Sequence, residues 1–256
     1  MSSIYTDMAK DQHLPKSPIR EALIDIRVQL PSEIDITRLL SLHNKIKEQY
    51  PTKSERRLWE NKIEIKEGKP QPPVTTEMLS GYSFSTGDGT QVVQFRIDGF
   101  TFSRLKPYTS WKTFSAEAKK LWGIYIESLK DTPPSITRVA TRYVNFLDFP
   151  LPISDLEQFI TGLPKGPPQE SLLLKSFLNR IEVSDPSQGI TAIITEALVQ
   201  PTTPSVATVL LDIDAFKAAK FEHNYDEAWN TVAATKKLVN EVFFQKITEK
   251  TVEVFR

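Results

Sequence analysis

Two stretches of this chain echo each other at a constant spacing. Ile19 and Ile136 open similar alternating runs and stand 117 positions apart. Tyr108 and Tyr225 precede similar helical patterns at that same spacing, and so do Lys119-Lys120-Leu121 and Lys236-Lys237-Leu238. A duplicated supersecondary unit accounts for an offset kept at both of its ends, and it restricts the architecture more than any single segment does. The 256 residues are enough for one large body or two modest ones, with a proper core.

Within the first copy, residues 19–30 alternate: Ala22, Ile24, Ile26, Val28 and Leu30 share one face, while Glu21, Asp25, Arg27 and Gln29 share the other. Period two with one apolar face predicts a half-buried strand. Pro31 ends it, and Ser32 or Asp35 is placed to cap a helix running to about Gln49. Residues 55–67 read as an edge strand around Trp59, Ile63 and Ile65, followed by the proline-rich Lys69–Pro73. Strands at 79–86 and 90–97 meet at Gly87-Asp88-Gly89, and Asp98-Gly99 turns the chain into a strand from Phe100 to Leu105. A long helix then carries Trp111, Phe114, Ala118, Leu121, Trp122, Tyr125 and Leu129 at three- and four-residue spacings.

Asp131 to Ser135 is too short for a flexible tether, so the halves are expected to pack together. The second copy repeats the order: a strand at 136–147, a shorter helix from Ser154, strands near 176–184, 189–199 and 205–213, and a helix from about Tyr225 to the end. The organisation is therefore a polar tail at 1–18, a β-α-β-β-β-α unit at 19–130 and a second at 131–256. The predicted class is α+β, two tandem units forming one curved, mainly antiparallel sheet with helices packed on one face and the other face open.

Composition narrows the chemistry. There is no cysteine, which excludes disulfides, thiolate zinc sites and a cysteine nucleophile; a reducing cytoplasm is the expected compartment. No apolar run is long enough to span a membrane, and the polar start lacks the core of a signal peptide. Lys and Arg total 32, balanced by 32 Asp and Glu, which weighs against a dedicated nucleic-acid binder without excluding a local basic patch.

Several motifs carry a resemblance. Pro18-Ile19-Arg20-Glu21-Ala22, Asp98-Gly99, the series Tyr108, Trp111, Phe114, Glu117-Ala118 and Leu121-Trp122, then Arg138 and Arg142-Tyr143-Val144-Asn145 together resemble a sporadically distributed bacterial family with no assigned function. The likeness covers nearly the whole chain from Pro18, and its most specific piece is Arg-Tyr-Val-Asn. It implies a scattered distribution, as for mobile-element or defence genes, and supplies no chemistry. The doubled unit is also similar to the saddle of TATA-binding proteins, a fold-level analogy that licenses no function.

The candidate sites begin with charge. At the 117 spacing Glu21 corresponds to Arg138 and Asp25 to Arg142, on the strand face opposite the apolar stripe. If the two leading strands meet antiparallel, two carboxylates face two guanidinium groups. These four residues either form an ion-pair seam that orients the halves or hold a phosphate or carboxylate of a ligand. A second set, Arg56, Arg57 and Lys62 with Trp59 on the edge strand, suits a nucleic acid if Trp59 or Tyr82 lies on the open face to stack on bases. Lys119-Lys120 and Lys236-Lys237 read as solvated helix faces. Asp212 and Asp214 point to one side of a strand, a modest geometry for a divalent metal. His13, His43 and His223 lack metal spacing, and Gly87-Asp88-Gly89 lacks the Lys and helix of a phosphate loop. No nucleophile elbow is present. The expectation is a binding or protein-interaction module with no cofactor and no metal, its partner another protein. The alternatives are a nucleic-acid-binding regulator or antitoxin-like protein using the open face, and a metal-dependent enzyme.

Overall fold

A computed structural model describes residues 14–30, 34–62, 65–66, 69–70, 74–153, 155–164, 174–201, 203–222 and 224–256. The first half contains β1 (Ile19–Gln29), α1 (Thr37–Ser41), α2 (His43–Ile46), β2 (Thr52–Lys62), β3 (Ile65–Lys66), β4 (Lys69–Pro70), β5 (Val74–Ser85), β6 (Gln91–Arg96), β7 (Gly99–Leu105) and α3 (Trp111–Ser128). The second contains β8 (Ser135–Pro150), a 3-10 turn (Leu156–Gln158), β9 (Leu178–Asp185), β10 (Ile190–Val199), β11 (Val206–Glu222), α4 (Tyr225–Lys246) and α5 (Glu249–Val254). The class is α+β: nine strands form one antiparallel sheet in the order β2-β5-β6-β7-β1-β8-β11-β10-β9, with β3 and β4 paired apart from it.

The alternation of β1 is observed, with Ala22, Ile24, Ile26 and Val28 buried. They pack towards the helices, as do Phe84, Phe95, Phe100, Phe102, Tyr143 and Leu147 from neighbouring strands. α3 starts at Ser110, whose hydroxyl accepts from the Thr113 N–H at 3.2 Å, and buries Phe114, Ala118, Leu121, Trp122 and Tyr125. Tyr125 stacks on Phe95 with ring centroids 5.9 Å apart and donates to the Arg96 carbonyl at 2.8 Å. α4 is capped by Asn224 and has Asp226 and Glu227 in its first turn, where the helix dipole favours negative charge. It reaches the sheet through Thr141, whose hydroxyl lies 2.9 Å from that of Thr235. All helices among the described residues therefore cover one face of the sheet. No helix among the described residues is long and apolar enough to cross a membrane.

β1 and β8 lie side by side, antiparallel, at the centre. Ile24 faces Thr141, and the flanking pairs Leu23–Arg142 and Asp25–Ala140 exchange under the 117 spacing. Outward from this contact the strands run β7, β6, β5, β2 on one side and β11, β10, β9 on the other. The spacing is not kept throughout: Asp25 pairs with Thr101 and Arg142 with Asp214, so the next strands out are offset by four fewer positions.

Other expectations need correction. The first half sends four strands of the main sheet after its helices, one more than the β-α-β-β-β-α order allows: the edge strand expected at 55–67 is present as β2, and the described second half has no counterpart to it. The first helix is two short pieces ending at Ile46, since burying Leu39, Leu42 and Ile46 needs only two turns. Asp35 does sit at its start, accepting from the Thr37 N–H at 2.9 Å, while Ser32 lies outside the described residues. In place of the helix expected from Ser154 (itself outside them) there is a single 3-10 turn, beyond which Ile160 bridges to Ile247. That bridge also divides the final helix, and Thr248 recaps the chain as α5. β11 continues to Glu222 because the buried alternation continues through Ala215.

Candidate functional site

The face of the sheet turned away from the helices carries a charged network at its centre. Asp25 of β1 is the hub. Its Oδ1 accepts from Arg27 Nε at 3.0 Å and Arg138 Nη1 at 3.3 Å; its Oδ2 accepts from Arg96 Nη2 at 3.1 Å and the Thr101 hydroxyl at 2.7 Å. Arg96 also donates to Thr101 and, through Nε, to Asp98 at 2.9 Å. Arg27 closes a second path to Asp98 at 2.5 Å. Across the centre, Arg138 reaches Asp214 at 3.1 Å, and Arg142 clasps Asp212 in a fork of 2.8 and 2.5 Å.

Alternation and register bring these groups together. Arg96, Thr101, Asp25, Arg138, Arg142, Asp212 and Asp214 come from five neighbouring strands, all pointing to the helix-free side. Gly99 supplies room: a Cβ there would stand 2.3 Å from the Ile26 carbonyl and 3.1 Å from Arg96 Nη2. Burial pulls the Asp25 carboxyl upward, but Arg96, the Thr101 hydroxyl and Arg27 outweigh it and hold the group below its ordinary value. At Asp214 burial wins over Arg138 and Arg142, and its pKa is raised. Arg142 is raised, chiefly by its hydrogen bonds to Asp212.

The expected seam is therefore present in one of its two contacts: Arg138 of β8 binds Asp25 of β1, and also Asp214. Arg142 binds Asp212 of β11 in place of a carboxylate of β1. Glu21, whose contact with Arg142 would be the twofold mate of Asp25–Arg138, forms no close ion pair among the described residues; Arg142 has turned to β11. Asp212 and Asp214 do share one side of their strand, but each is engaged by an arginine, and the described residues contain no cluster of three metal-ligating side chains. Sequence reasoning missed Arg96 and Thr101, and took Asp98 only as a turn residue. The Arg96–Asp98 spacing around the hairpin was the available signal.

This network surrounds a depression of about 660 Å³, lined by Arg27, Arg56, Arg96, Arg138 and Arg142 with Asp25 and Asp214. With Asp98 and Asp212 added, five guanidinium groups meet four carboxylates. The odd one is Arg56 on β2, exposed and with no side-chain partner among the described residues.

The edge-strand set is divided by the pleat. Arg56 faces the depression, whereas Arg57 and Trp59 lie on the opposite side of β2, where Arg57 pairs with Glu55 at 2.7 Å and Glu77 at 3.0 Å. Lys62 closes β2, and its side chain lies outside the described residues. Tyr82 is buried among the core aromatics. The aromatics that do lie on the charged face are covered by cations: Arg138 stands 4.4 Å over Phe216 and Arg20 5.3 Å over Phe146. His43 is a packing residue, its Nε2 donating to the Tyr50 carbonyl at 3.0 Å and its ring stacked on Phe84. His13 and His223 lie outside the described residues. The Gly87–Gly89 segment is a hairpin turn, with Asp88 accepting from the Thr90 N–H at 3.0 Å.

Compared with known proteins, the chain matches no protein-family model and no curated relative.

Proposed function

We propose that this protein is a binding module whose charged sheet face holds an acidic segment of a partner protein. The observation that carries the reading is Arg56. Four arginines around the depression are already matched by Asp25, Asp98, Asp212 and Asp214, which fix them in place; Arg56 stands on the rim unmatched. Pre-positioned guanidinium forks suit carboxylates, and a rim charge left free steers association. Arg27 and Arg142, each with 45% of the side chain exposed, extend the same surface. An acidic protein segment fits better than a nucleic acid because the face presents no uncovered aromatic for base stacking among those placed above.

We also infer that the two halves arose by doubling of one unit. The central pairing that maps onto itself under the 117 spacing and the mirrored order of the inner strands support this. The seam then serves both roles: it joins the halves and shapes the binding face.

The test is fluorescence anisotropy with a labelled twelve-residue Glu/Asp-rich peptide and a single-stranded oligonucleotide of equal charge. The peptide is expected to bind more tightly, with affinity falling as salt rises, and Arg56→Glu is expected to weaken it by about tenfold. Tighter binding of the oligonucleotide, or a peptide affinity indifferent to Arg56→Glu, would reject the reading.

A further inference from the structure

The helix-covered side holds a separate cavity of about 610 Å³, between the start of β1, β8, and the flanks of α3 and α4. Ile19, Trp111, Phe243 and Phe244 give it an apolar lining. Polar residues, Tyr108, Ser110, Tyr143, Asn145, Lys236 and Asn240 among them, share the lining, and their charge is unbalanced.

Lys236 of α4 lines this cavity with no ion-pair or hydrogen-bond partner among the described residues, although its neighbour Lys237 pairs with Glu241 at 3.6 Å. No carboxylate lines the cavity among the described residues. The start of α3 also opens on it through Thr109, Ser110 and Trp111, and no acidic side chain occupies that helix's first turn. Tyr108 and Tyr143 join their hydroxyls at 3.0 Å; burial pushes both phenols up, so both are neutral and the pair retains one O–H to give. Each of these features favours negative charge.

Asn145 adds a group of the opposite kind. It is 1% exposed, and its Nδ2 donates to the Leu211 carbonyl at 3.0 Å and the Tyr143 carbonyl at 3.4 Å. Its Oδ1 accepts from no described group, although the residue lines the cavity. That oxygen is open to the cavity and can accept a hydrogen bond from a ligand there.

We propose that the cavity binds a small organic acid with an apolar body, its carboxylate held by Lys236 and the start of α3, its ring or chain against Trp111, Phe243 and Phe244, and one hydroxyl or N–H given to Asn145. An apolar pocket of this size with a few convergent polar groups is the usual form of a small-molecule site. It lies on the opposite side of the sheet from the arginine depression and does not depend on that reading.

The experiment uses the full chain with 3-(4-hydroxyphenyl)propionate and indole-3-acetate, each beside its primary amide, measured by calorimetry and saturation-transfer NMR. The acids are expected to bind about tenfold more tightly than their amides, the step a lost ion pair produces. Lys236→Met, checked for folding by circular dichroism, is expected to erase that preference, and Arg56→Glu to leave it intact. Equal binding of acids and amides, no binding up to millimolar concentration, a preference that survives Lys236→Met, or one that vanishes in Arg56→Glu would each overturn the proposal.

Discussion

Asp25 shows how much one side chain organises. Both of its oxygens are filled twice over, by three arginines and a threonine drawn from four strands. Replacing it with Asn keeps the shape but sets an amide among guanidinium groups that need an acceptor. Asp25→Asn is expected to lower stability by about 3 kcal/mol at pH 7, since breaking a largely buried charge pair strands its partners. The pH dependence follows from direction. The folded-state pKa lies below the ordinary 3.8, so the stabilisation is complete above that value and is lost as pH falls through the lower folded one. Urea unfolding at pH 7 and pH 3 should therefore show a large gap between the native protein and the variant at neutral pH and a smaller one in acid. A gap that is the same at both would contradict the account. The hub was legible in the sequence because Asp25 sits on the polar side of a clear alternation. Arg96 was not, since its approach depends on the β6–β7 register, which is set by a turn and not by the repeated spacing.

At the level of elements, the two most informative positions are both glycines. Gly99 begins β7 with φ of +154° and with the Ile26 carbonyl 2.3 Å from where a Cβ would go. Gly123 lies inside α3, exposed, with open space around it. Gly99→Ala is expected to cost about 2 kcal/mol or more, because the backbone of β1 cannot step aside from between β7 and β8. Gly123→Ala should stabilise by about 0.5–1 kcal/mol through helix propensity alone. Thermal melts of the two variants, shifted in opposite directions, check this contrast. The long elements were readable from apolar period: α3, β1 and β8 match their expected positions closely. The short helices were not, because α1 and α2 are held by tertiary burial of a few residues rather than by a sustained pattern. Lys236 illustrates a related limit. A Lys-Lys pair on a helix reads as solvated, and only the packing of β1, α3 and β8 around it turns one of the two towards a cavity.

For the molecule as a whole, the sequence located the central strand contact and the helix-bearing side, while the registers of the next strands out depart from the repeated spacing by four positions. A sheet of this order should be most resistant at its middle, where β1 and β8 have partners on both sides and buried rungs, and least at β2 and β9, which have one neighbour each. Hydrogen exchange is expected to be slowest at the amides of β1 and β8 and fastest along β9, whose Leu178, Ile181 and Val183 stay exposed. Equal protection at β9 and β1 would show that something else closes that edge.

The unmatched rim strand β2 has a practical corollary. A scaffold that grows sideways from a fixed midline can be lengthened or pared at its borders while the rungs between Ile24 and Thr141 keep their places. Grafts and fusions therefore belong at the margins of this architecture, and its midline is the part to leave untouched.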